Sequence, residues 1–210
     1  MSISQRSGQE NPSRAFPLLS GLCDYLALND LPSSSDLIFV LAGRPERKAY
    51  GLKLFQERIA PRIILSVGRF EVRGMDAFGF RDLRVREMVK DMSPADRHFF
   101  IEVSDNSRTV VPAGIKRVGT FGELSALASY LDGQKIQTMT LISTSVHLRR
   151  VRLCCRKIRP LDRLEIAYVP VPETLSSFRR DRWWKRLDHW SYVVSELIKL
   201  LAYQFRFQDQ

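Results

Sequence analysis

Five apolar runs separated by helical patterns restrict this chain more than any other feature. The runs are 36–42, 62–66, 98–103, 138–143 and 164–169. They are apolar at successive rather than alternate positions, which suits strands buried on both faces of a parallel sheet. Gly43, Gly68 and Pro170 stand where three of them stop. Between the runs, Leu124, Leu127, Ala128 and Leu131 fall at i, i+3, i+4 and i+7, and Val151, Cys154, Cys155 and Ile158 repeat that spacing. Leu52, Phe55 and Ile59 mark a helix in the first crossover, and Val85, Met88, Val89 and Met92 mark another. Strand and helix in alternation predict βαβ units. The expected fold is therefore a single doubly wound, mainly parallel five-stranded α/β sheet, a Rossmann-like three-layer domain over residues 15–210. The expected strand order is 3-2-1-4-5, by analogy with doubly wound sheets. The stretches 69–79 and 104–118 read as long loops.

Composition narrows the class. A chain of 210 residues with 44% apolar content can bury one large core. Its three cysteines, Cys23, Cys154 and Cys155, form no disulfide framework and read as reduced thiols. Cys154 and Cys155 lie on an apolar helix face, where packing is their expected role. No apolar segment is long enough to span a membrane, and residues 1–14 read as a disordered polar tail. A cytoplasmic location follows as the expectation, with contact to the inner membrane face left open. Thirty-three Lys and Arg against 23 Asp and Glu give +10. Such a surface attracts anions. No zinc-finger or RNA-recognition spacing points to a specific nucleic acid.

The C-terminal stretch mixes cations with Trp183, Trp184 and Trp190. Leu187, Trp190, Val194, Leu197 and Leu201 then recur at spacings of three and four, which predicts an amphipathic helix. Docking of its apolar face on the sheet is the expectation. An interfacial helix on an anionic membrane is the alternative, because Trp and Arg suit that boundary.

In a doubly wound sheet the carboxyl ends of the strands face one crevice, where ligands bind. Four junctions meet there. Gly43 allows close approach to the backbone, and Arg47 in the next helix offers a fork of donors for a carboxylate or phosphate. Ser66 and Gly68 end the second run and could present a hydroxyl and backbone N–H groups to an anion, or simply turn the chain. Thr120-Phe-Gly-Glu123 has capping-box spacing, Thr as N-cap and Glu reaching back; its carboxylate could instead orient His147 or a water. The fourth, Ser143-Thr144-Ser145-Val146-His147-Leu148-Arg149-Arg150, places hydroxyls at a strand end. His147 and Arg150 follow on neighbouring positions of a helix, and Thr144 or Ser145 can cap it. Histidine titrates near neutrality and suits acid–base work. Two other histidines, His98 and His189, lack such surroundings, and three histidines so dispersed offer no metal-ligand spacing. No G-x-G-x-x-G fingerprint and no G-x-S-x-G elbow occurs at these junctions.

Taken in order, these junctions resemble the YdcF-like family, which includes the SanA- and ElyC-like envelope proteins. The matching stretches are Leu37 to Gly43 with Arg47, Ala60 to Gly68, Thr120 with Glu123, Ser143 to Arg150, and Glu196 to Tyr203. Ala42 stands where a glycine is usual, Val67 separates what would be paired glycines, and 69–118 aligns poorly. The resemblance implies a Rossmann-like fold, a polar pocket for a small anionic, phosphate- or nucleotide-like ligand, and a link to cell-envelope maintenance. As an enzyme, the protein would hold the anion with Arg47 and Arg150, and His147 would transfer a proton under Glu123. As a binding or sensor module, the same residues would supply affinity only. Neither a cofactor nor an oligomeric state follows from the residues.

Overall fold

The computed structural model describes residues 17–68, 70–80, 90, 92–93, 98–115 and 119–206, with backbone alone for 17–20, 73 and 181. The strands are β1 (Leu37–Val40), β2 (Arg62–Val67), β3 (Phe99–Ser104), β4 (Arg108–Pro112), β5 (Thr138–Ser143) and β6 (Glu165–Pro170). The helices are α1 (Pro17–Leu26), α2 (Pro45–Gln56), α3 (Thr120–Tyr130), α4 (Ser145–Lys157), α5 (Arg159–Asp162) and α6 (Leu187–Arg206). Short 3-10 segments occupy Val72–Phe78 and Arg180–Lys185. The polar tail at 1–14, and Val85, Met88 and Val89 of an expected helix, lie outside the described residues.

All five expected strands form, and they stand in the expected order. Among the described residues the sheet nevertheless has six strands, β4-β3-β2-β1-β5-β6, and is mixed. Three ladders are parallel: β1 with β2, β1 with β5, and β5 with β6. The other two, β2 with β3 and β3 with β4, are antiparallel. The extra strand falls in the stretch 104–118 read as a loop. It pairs as a hairpin with β3 through a tight turn, in which the Ser104 N–H donates to the Ser107 carbonyl at 2.9 Å. β4 is an edge strand with no fully buried residue, so it needs no apolar run, and Pro112 is tolerated there.

Helices cover both faces. On one, Leu37, Phe39 and Leu41 pack with Leu124 and Leu127 of α3 and with Leu148, Val151 and Cys154 of α4. On the other, Ile38, Val40, Ile63 and Leu65 pack with Tyr50 and Leu54 of α2 and with Val72 and Met75. Cys154 and Cys155 are buried free thiols, and burial pushes both up to about 12, which keeps them protonated.

α6 forms a third layer over α4 instead of docking on the sheet. Its core combines Cys23 and Leu26 of α1, Val146 of α4, Phe178, Trp183, and Val193 and Leu200 of α6. The face turned inward is His189, Val193, Glu196 and Leu200. The stripe containing Leu187, Trp190 and Leu201, expected to be covered, is exposed. The reason is electrostatic: α4 presents a buried Arg150, and α6 supplies the Glu196 carboxylate that compensates it. Trp183 is only 1% exposed, which removes the main motive for a Trp183–Trp184 membrane contact.

Two glycines test the packing in opposite directions. A Cβ on Gly51 of α2 would fall 2.4 Å from Cγ2 of Val40, whereas among the described residues nothing lies within 4 Å of one on Gly21. Alanine is favoured over glycine in a helix by about 1 kcal/mol, but overpacking a core costs about 1–3 kcal/mol. Gly51→Ala is expected to lower, and Gly21→Ala to raise, the stability measured by urea unfolding.

Candidate functional site

The parallel ladders bring the ends of β2, β1 and β5 side by side, so the four junctions read from sequence converge on one sheet edge. Beyond β1 the chain turns at Gly43, whose φ of +130° favours glycine. The same glycine makes room for a neighbour, since a Cβ there would lie 2.9 Å from Nη1 of Arg47. Arg47, in the first turn of α2, folds its guanidinium back over the strand ends. Nη1 donates to the Ala42 carbonyl at 2.5 Å and Nη2 to Thr144 Oγ1 at 3.0 Å. The side chain thus bridges the ends of β1 and β5. It is 5% exposed, and its Nε has no hydrogen-bond partner among the described residues. Among the described residues no carboxylate pairs with it.

Thr144 holds the N-cap position of α4, yet its hydroxyl caps nothing. It accepts from Arg47 and lies 2.5 Å from the Tyr192 hydroxyl of α6. The capping box expected at Thr120 and Glu123 is also absent. Gly119 is the N-cap of α3, and no side chain caps that end. Glu123 instead accepts the Ala42 N–H at 2.8 Å, fixing the turn that carries Gly43. Thr120 Oγ1 lies 3.1 Å from Nε2 of His147, and Ser143 Oγ lies 2.9 Å from its Nδ1. The residue that orients His147 from α3 is therefore Thr120, not Glu123.

Both nitrogens of His147 are thus engaged. Arg150 Nη1 donates to Thr120 Oγ1 at 2.5 Å, which leaves that hydroxyl's own proton for Nε2 and lets Nδ1–H donate to Ser143. Burial, then the positive charges of Arg150, Arg47 and Lys199, hold the ring well below 6.5. It is neutral at pH 7. Arg150 is committed to a carboxylate beside it. Its Nε and Nη2 donate to the two Glu196 oxygens at 2.9 and 3.0 Å, so its charge is already matched.

Three further residues join the site. Ser66 Oγ lies 2.7 Å from Nε2 of His98. The buried Lys48 ammonium pairs with Glu71, whose other oxygen accepts the Gly68 N–H at 2.8 Å. Burial lowers the pKa of His98, opposed by the carboxylates of Glu123 and Glu71. Burial also lowers that of Lys48, opposed by Glu71. His98 escapes a sequence reading because β3 is antiparallel: Val67 pairs with Phe99, which brings the start of β3 to the end of β2. A parallel third strand would put His98 at the opposite edge. Lys48 was within reach, because Arg44, Arg47 and Lys48 stand at i, i+3 and i+4 in a helix that starts at the sheet edge.

Beside this network opens a cleft of about 710 Å³, lined by Gly43, Lys48, Gly68, Glu71, Met75 and Phe78 among others. Its walls are mainly apolar, and the Lys48–Glu71 pair supplies charge. Among the described residues no group of three or more His, Cys, Asp or Glu side chains is placed to hold a metal ion.

The buried neutral ring sets a pH dependence. His147 has a pKa near 6.5 when unfolded and far lower when folded, so the folded state binds fewer protons. Its contribution is complete above about pH 6.5 and is lost as the pH falls toward the depressed folded value. His98 and His189 are lowered too and act with the same sign. Thermal unfolding from pH 7.5 down to about pH 5 should show a smaller loss in His147→Gln than in the wild type. Equal losses would mean that His147 is not the buried neutral group described.

No family model matches the chain, and neither a curated protein nor a solved structure does.

Proposed function

We propose that this protein binds a small anion, phosphate- or nucleotide-like, at the carboxyl edge of its sheet, with Arg47 as the principal charge. One observation carries the reading. Arg47 is a buried guanidinium that, among the described residues, meets only neutral oxygens and has an unpartnered Nε. A buried charge is costly unless it is paired, and an arginine fork matches the oxygens of phosphate or carboxylate. The other cations here have partners, Lys48 with Glu71 and Arg150 with Glu196. Gly43 gives the anion access to the turn, and the Thr144 hydroxyl, which accepts from Arg47, lies beside it. The adjoining apolar cleft suits a ligand whose body is not itself charged, such as a base or an acyl group.

The engaged nitrogens of His147 favour binding over turnover at that residue. They fit a positioning role, in which His147, Thr120 and Ser143 hold the ends of α3, α4 and β5 in register. One feature favours turnover: the Ser66–His98 pair, a hydroxyl against an imidazole with Glu71 and Glu123 nearby. In an enzyme, His98 would then move the proton. The cell-envelope setting rests on the YdcF-like resemblance. Among the described residues, no helix is long and apolar enough to cross a membrane.

The test is thermal shift and calorimetry with phosphate, pyrophosphate and nucleoside diphosphates. Charge-assisted hydrogen bonds are worth about 1.5–3 kcal/mol, so Arg47→Met should weaken the best binder roughly tenfold to a hundredfold. Gly43→Ala, which crowds Arg47, should weaken it as well. Unchanged affinity in Arg47→Met would refute the assignment. Loss of product formation but not of binding in His98→Ala would establish the enzymatic reading.

A further inference from the structure

α6 carries an apolar stripe beyond the face that the fold buries, and Leu197 of that stripe still leans on the core. His189, Val193 and Leu200 are buried, with Glu196 among them, tied to Arg150. On the neighbouring sector Leu187, Trp190, Val194, Leu197 and Leu201 follow one another at spacings of 3, 4, 3 and 4. Leu187 is 88% exposed, Trp190 47% and Leu201 44%, and beside them Ile198 is 60% and Phe205 66% exposed. Val194 and Leu197 are half-buried.

An alternating spacing of three and four is the seam of one helix against another. At 20 residues α6 is about 30 Å long, and the stripe runs nearly its whole length. The five exposed side chains present roughly 600 Å² of apolar surface, at about 150–250 Å² for each fully exposed aromatic and somewhat less for each aliphatic. Two such stripes face to face would bury about 1,200 Å², the lower bound for a stable specific interface. Charge argues against a lipid surface as the occupant. An interfacial helix is rich in Lys and Arg on its polar face, whereas α6 has neither between Leu187 and Ile198. Arg186 just before it is tied to Asp188.

We infer that two copies of this chain pair through the exposed stripe of α6 in a two-fold interface. An antiparallel arrangement suits the charges. Centred between Val194 and Ile198, it sets Leu187 of one copy against Phe205 of the other and brings the Asp188 end of each helix toward the Arg206 end of its mate. A parallel pair would stack like charges. The opposite side of α6 holds Tyr192 against Thr144 and Glu196 against Arg150. Pairing therefore clamps the helix that supports the sheet-edge site, and it does not depend on what that site binds.

Sedimentation velocity of the full chain, from about 1 µM upward, tests the inference. The wild type should sediment as a dimer. Ile198→Glu and Leu201→Glu place a charge in the seam at exposed positions. Each should weaken dimerisation at least about a hundredfold while leaving the circular dichroism spectrum unchanged. A wild type that stays monomeric at tens of micromolar overturns the inference, as does a dimer that both substitutions leave intact. Flotation with phosphatidylglycerol-rich vesicles separates the lipid alternative. A monomer whose vesicle binding is lost in both variants would assign the stripe to a membrane, against the pairing inferred here.

Discussion

The buried pair between Arg150 and Glu196 organises the side of this molecule that carries its polar layer of hydroxyls and imidazole. Arg150 leaves α4 in the middle of a packed layer, where an isolated guanidinium would be costly. Glu196 meets it with both carboxylate oxygens, and that requirement fixes which way α6 faces. Once Glu196 points inward, Val193 and Leu200 pack beside it, and the stripe of Leu187, Trp190 and Leu201 must look outward. The remaining donor of Arg150 holds Thr120, Thr120 holds His147, and the nearby positive charge helps keep that ring neutral. Removing one partner of such a pair is expected to disturb α3, α4 and α6 together, because a buried uncompensated charge would remain.

This pairing also separates two arginines that look alike in the sequence. Arg150 is matched by a carboxylate and belongs to the architecture. Arg47 rests on a carbonyl and a hydroxyl, and among the described residues no carboxylate pairs with it. The distinction turns on what surrounds each guanidinium rather than on depth, since both side chains are buried. Lys48 follows the pattern of Arg150, with Glu71 as its partner and Glu71 in turn fixing the Gly68 turn. Among the described residues, an anion arriving at the sheet edge would therefore meet Arg47 as the charge without a carboxylate partner, framed by Gly43 and Thr144.

Much of the fold was legible because burial leaves a pattern. Strands covered on both faces are apolar at most successive positions, and β1, β2, β3 and β5 announce themselves in that way, as does the edge strand β6 through Ile166-Ala167-Tyr168-Val169. β4 does not, since this edge strand buries no residue fully and Arg108-Thr109-Val110-Val111-Pro112 reads as loop. Strand direction is not written in composition either, so the antiparallel β3 went unseen, and with it the meeting of His98 and Ser66. The grouping of Gly43, Arg47, Thr120, Glu123, Thr144 and His147 followed from topology alone. Their partners did not, because a hydroxyl at a helix start serves equally as a cap or as a tertiary contact. Thr120 and Thr144 both take the second role. The heptad-like spacing of α6 was visible too, but spacing identifies an apolar stripe without saying which neighbour covers it.

The central claim is that Arg47, and not Arg150, answers to an anion. Nuclear magnetic resonance of the arginine Nε–Hε groups during titration with pyrophosphate addresses it most directly. The Arg47 resonance should shift progressively and saturate as its unpartnered Nε–H gains an acceptor, while that of Arg150, already bound to Glu196, should stay in place. A stationary Arg47 resonance, or a saturating shift at Arg150 alone, would contradict the account.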